Sequence, residues 1–78
     1  MKSTLIDVAV LKHHETTLAV MVSETGEETR AVWLPLSKIE IKETDTELVG
    51  TRRSGQAVML PMIVVTLPEW LAIDKALV

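Results

Sequence analysis

The adjacent histidines His13 and His14 are the first residues in this chain whose type suggests chemistry. Imidazoles bind metals, but neighbours in an extended chain point to opposite sides, so these two cannot chelate one ion together. A metal site would need Glu15 or a histidine from a second subunit; the plainer expectation is an exposed turn and no metal. Serine, histidine and aspartate are all present, yet no strand-turn-helix elbow sets a serine beside a base, and 78 residues offer little cleft. Paired carboxylates such as Glu27-Glu28 and Asp45 with Glu47 fall in predicted turns, where nothing lifts a pKa into a catalytic range. No enzyme activity and no cofactor are expected.

The most suggestive polar constellation is Gly50-Thr51-Arg52-Arg53-Ser54-Gly55. Flexible amides, the guanidinium forks of Arg52 and Arg53 and the hydroxyls of Thr51 and Ser54 can together hold a phosphate. The pattern matches no P-loop, and the bland alternative is a mobile, solvated loop. A symmetric oligomer that gathered several such loops would strengthen the anion reading. Trp33 and Trp70 can serve as binding anchors or base-stacking platforms. With no phenylalanine or tyrosine in the chain, they are also the largest core fillers, so core or subunit-interface packing is expected of them, with Met59 and Met62 as further interface residues.

Length and composition limit what can position these groups. A single domain over residues 1–78 buries only about 60% of the surface its unfolded chain exposes, and no cysteine is present to staple it. Against that stand a hydrophobic fraction of 47% and a mean hydropathy of +0.28, more apolar surface than one small core holds. A homo-oligomer is therefore expected. The absence of cysteine excludes thiol chemistry and makes a reducing cytoplasm the default. Eight basic against eleven acidic residues, a net charge of −3, disfavour duplex DNA as a partner. The first fourteen residues lack the pattern of a signal peptide, and the apolar run from Ala57 to Val65 is too short to cross a bilayer, so no membrane partner is expected.

The elements follow from alternation and turn residues. Thr4 to Lys12 reads as a strand with Ile6, Val8 and Val10 on one face and Leu5, Asp7, Ala9 and Leu11 on the other. Apolar residues on both faces mean a central strand of a closed barrel or one covered by a partner subunit. Lys12 to Glu15 reads as a connection, and Thr16 to Ser23 as a second strand. Gly26 supplies a turn with positive φ, making a third strand, Glu28 to Leu34, an antiparallel neighbour of the second. Pro35 ends its ladder and, with Ser37 bonding back to the backbone, turns the chain. Ile39 and Ile41, alternating with Lys38, Glu40 and Lys42, make a half-exposed strand. Glu43 to Gln56 reads mostly as loop, and Ala57 to Leu67 as a strand that Pro61 restricts to an edge, bulge or bend. Pro68 suits the first position of a helix over about 68–77, whose buried stripe is predicted as Trp70, Ile73 and Leu77, widened by Leu71 and Val78. The fold class is mainly β: a small antiparallel curled sheet or SH3-like barrel with a short C-terminal α-helix.

Trp33, Pro35, Ser37 and Ile39, followed by Pro68, Trp70, Leu71 and Ala72, resemble a group of short phage and prophage proteins. In those, a strand ends in Trp-x-Pro-x-Ser-x-hydrophobic and the chain closes with Pro-x-Trp-Leu-Ala. The chain departs from that pattern at Ala76, where a glycine is expected after Lys75. The resemblance implies a phage-type origin and assigns no activity and no functional residue. Small size, acidic balance and the lack of a site then favour a non-enzymatic accessory or inhibitor that binds a host protein in the host cytoplasm. Two alternatives are an oligomeric binder of a small anionic ligand such as a nucleotide, and a single-stranded nucleic-acid module using Trp33 and the arginine loop.

Overall fold

A computed structural model describes residues 4–77. Among them are five strands, β1 (Leu5–Glu15), β2 (Ala19–Ser23), β3 (Val32–Pro35), β4 (Glu40–Thr51) and β5 (Ala57–Pro68), and one short α-helix, α1 (Glu69–Asp74). The strands make one antiparallel sheet in the order β3-β2-β1-β5-β4, curled but not closed into a barrel. Of the two architectures expected, the curled sheet is the one formed.

Residues paired across strands share a face, so the register explains the core. Ile6, Val8 and Val10 pair with Leu67, Val65 and Ile63, Val20 and Val22 with Leu34 and Val32, and Ile41 with Val65. This inner face is closed by Leu71 and Ala72 of α1 and by Leu77. Burying one such valine, leucine or isoleucine completely is worth about 1.5–3 kcal/mol. Leu11 and Leu60 are buried too, yet stand outside that cluster. Leu11 pairs with Ser23 and Met62 on the outer face, where the β2–β3 loop folds over it. There the Gly26 carbonyl accepts the Thr51 N–H at 2.8 Å, and Glu27 bridges to Thr51 in parallel.

Several boundaries differ from the sequence expectation for identifiable reasons. β1 does not stop at Lys12: Lys12 pairs with Val22 and His14 with Met21, so His13 is the extra residue of a bulge and the strand reaches Glu15. β2 accordingly begins at Ala19, after a turn in which the Thr16 hydroxyl accepts the N–H groups of Leu18 and Ala19. The expected third strand starts late, because Glu28–Arg30 is a turn of 3₁₀-helix. The turn after Pro35 is also 3₁₀, Leu36–Lys38, anchored by the Leu36 N–H on the Leu18 carbonyl at 2.9 Å.

The segment expected as loop from Glu43 is mostly strand. Between the pairs Glu43↔Ile63 and Glu47↔Pro61, β4 advances four residues while β5 advances two. This wide bulge stands beside Pro61, which has no N–H to give to the ladder. Within it, the Thr44 hydroxyl donates to the Met62 carbonyl at 2.7 Å and accepts the Thr46 N–H.

The helix is shorter than 68–77, and the predicted stripe is buried only in part: Leu71 and Leu77 are, Trp70 and Ile73 are not. β5 continues through Pro68, which pairs with Leu5 and serves as N-cap, and the Glu69 N–H donates to the Thr4 carbonyl at 2.7 Å. That tether sets the helix rotation: Leu71 and Ala72 face the sheet, while Trp70 and Ile73 are 55% and 61% exposed. Val78 lies outside the described residues.

Candidate functional site

The arginine segment is a tight hairpin turn between β4 and β5. The Arg52 N–H donates to the Gln56 carbonyl at 2.8 Å and the Gly55 N–H to the Arg52 carbonyl at 2.7 Å. Arg52, Arg53 and Ser54 are exposed, and Thr51, half-buried, ends β4. The ion pairs among the described residues are Lys12–Glu15, Arg30–Glu27 and, when the imidazole is protonated, His14–Glu28, so neither turn guanidinium is in an ion pair there.

Beside the turn stands a group that sequence reasoning missed. Glu28 Oε1 accepts the Arg53 backbone N–H at 3.0 Å, and Oε2 lies 3.5 Å from His14 Nε2. The Glu28 side chain is only 18% exposed. Its carboxyl is held below the usual range, first by the Arg53 N–H and then by the charges of His14, His13 and Arg53, against the opposing effect of burial. Together with His13, His14, Arg52, Val58 and Leu60, Glu28 lines a small hollow of about 50 Å³.

His13 lines this hollow from the β1 bulge and is half-buried, not in the exposed turn expected for it. Its Nε2 is 2.7 Å from Ser23 Oγ, and the same Oγ accepts the Gly26 N–H at 2.9 Å. Burial pushes the imidazole pKa down, partly countered by Glu28 and reinforced by His14. A serine therefore does sit beside a base. At 1% exposure, however, Ser23 is closed off from any substrate and holds the loop in place. The β1 bulge creates the pairing, and a strand-by-strand reading that ended at Lys12 could not reveal it. Among the described residues no three His, Cys, Asp or Glu side chains are grouped to hold a metal ion.

The remaining candidate residues are dispersed. Trp33, 42% exposed, lies on the outer face of edge strand β3, paired with Met21. The arginines lie beyond β4, the opposite edge in the strand order. Met59 is exposed beside Val49, and Met62 is half-buried on the outer face. A larger hollow of about 380 Å³ lies between the β2–β3 loop and the end of α1, with Glu24, Arg30 and Lys75 among its lining residues. It contains neither serine nor histidine. No helix among the described residues is long and apolar enough to cross a membrane.

The fold and these sites define a small, mainly β protein with an open curled sheet, a polar hollow at one hairpin turn and apolar side chains spread over its surface. No protein-family model matches the chain, and neither a curated protein nor a solved structure does.

Proposed function

We propose that this is a non-enzymatic accessory or inhibitor protein of the phage type, acting in the host cytoplasm by binding a host protein and associating with copies of itself. The observation that carries the reading is the outward face of α1. Trp70 and Ile73, one helical turn apart, stand in solvent while the adjacent Leu71 and Ala72 complete the core. Tryptophan is the side chain most often found as an interface anchor. The test is capture of a bacterial protein by the wild-type chain, then repetition of the binary interaction with the purified partner and the variant Trp70→Ser, Ile73→Ser. Loss of binding by a folded variant is expected; undiminished binding overturns the assignment to this face.

A second reading is supported by a different observation, the guanidinium groups of Arg52 and Arg53 at the turn beside the hollow, which form no ion pair among the described residues. In that reading the hairpin turn binds a small anionic ligand. Charge reversal of both arginines then abolishes binding without unfolding the sheet.

A further inference from the structure

The Glu28 carboxylate occupies a place that is built for an oxyanion. One oxygen takes a backbone N–H from Arg53, and the other faces His14 Nε2. Arg52 lines the same hollow, and the Arg53 guanidinium rises from the same turn, its charge favouring the Glu28 carboxylate without an ion pair between them. A backbone amide donating to the carboxylate, an imidazole beside it and guanidinium groups on the adjoining turn are the elements of an anion receptor. The group that fills it comes from a different part of the chain, 25 residues away in sequence.

Resting on the second reading above, we propose that this is a phosphate-binding site, and that the phosphate group of a small ligand enters it by displacing the Glu28 side chain. The hollow of about 50 Å³ is the space beside Glu28, and displacement of that side chain adds the place of its carboxylate to it. Charge selects phosphate over a carboxylate. A carboxylate ligand meets an equal charge already tethered in place, at an effective concentration on the order of millimolar for a short connection. A phosphate monoester carries about −1.5 to −2 and offers more acceptor oxygens to the guanidinium forks. The Glu28 tether also keeps the site closed to weaker anions.

The test is titration with inorganic phosphate at fixed ionic strength, following the Arg53 backbone amide by NMR, in wild type, Glu28→Ala, Glu28→Gln and the double variant Arg52→Ala, Arg53→Ala. The proposal expects weak binding by wild type, affinity raised roughly tenfold or more when Glu28 is removed, consistent with release of an intramolecular competitor, and loss of binding in the arginine variant. Glu28→Gln keeps the side-chain size and an acceptor for the amide; it supplies the comparison if the alanine variant does not fold, and its affinity should also rise. Phosphate binding that needs the arginines but is unchanged in both Glu28 variants overturns the displacement and leaves the second reading standing. An Arg53 amide that responds to phosphate no more than to chloride in every variant overturns both.

Discussion

Gly50 lies directly against Gly26: a Cβ on Gly50 would stand 2.6 Å from the Gly26 carbonyl oxygen and 2.3 Å from Leu60 Cδ1. Here the β2–β3 loop crosses onto β4, although β2 and β4 are not neighbours in the sheet order. Gly50→Ala should therefore lower stability by about 1–3 kcal/mol through overpacking. Gly55 has open space around it but a φ of 91°, so Gly55→Ala should cost only about 1 kcal/mol, from strain alone. Urea unfolding of the two variants checks the order.

Ala76 adopts a φ of 58° at the end of α1. The Leu77 N–H donates to the Ala72 carbonyl and the Ala76 N–H to that of Ile73, the paired bonds of a Schellman cap, in which glycine is the usual residue. Relief of the left-handed strain exceeds the added freedom of the unfolded chain. Ala76→Gly should thus stabilise the protein by about 0.5–1 kcal/mol, seen as a raised Tm.

The two faces of α1 should respond oppositely to truncation. Leu71→Ala empties part of the core and is expected to cost about 2–5 kcal/mol. Ile73→Ala, at a position 61% exposed, should stay within about 0.5 kcal/mol of wild type apart from its small propensity gain. Thermal unfolding that ranked Ile73 above Leu71 would return Ile73 to the buried stripe expected from the sequence.

The contact between the loop and the hairpin turn should loosen in acid, in two steps of the same sign. His13 titrates lower in the fold than in the unfolded chain, so its contribution is present above an ordinary value of 6.5 and declines as pH falls below it. Glu28 is also depressed, so its contribution is present above about 4.5 and is lost as pH falls through its lower folded value. Hydrogen exchange of the Arg53 and Thr51 amides should accelerate across both ranges. In Glu28→Gln the lower step should disappear, while the step below pH 6.5 persists.

Where a short-range pattern determines structure, the sequence was legible. The alternation of Ile6, Val8 and Val10, the turn at Gly26, the half-exposed Ile41 and the restriction on Pro61 all depend on neighbouring residues, and all have their counterparts in the structure, whereas Ile39, expected in the same strand as Ile41, caps the 3₁₀ turn before it. The arginine turn was visible as a glycine-bracketed polar segment for the same reason. The bulge at His13 was not, because an extra residue in a strand is defined by the partner strand's register. Neither was the exposed side of Trp70, since a helix of six residues takes its rotation from the strand it leaves and the carbonyl of Thr4 that tethers it. Glu28 read as a solvated turn acid because its neighbours are polar; only the curl of the sheet, which lays the β2–β3 loop on the distant β4–β5 turn, sets its carboxylate on the Arg53 amide. Composition and local spacing thus determined a mainly β chain with a short closing helix. Long-range register and sheet curvature, energies shared among residues far apart in sequence, decided which charged groups meet.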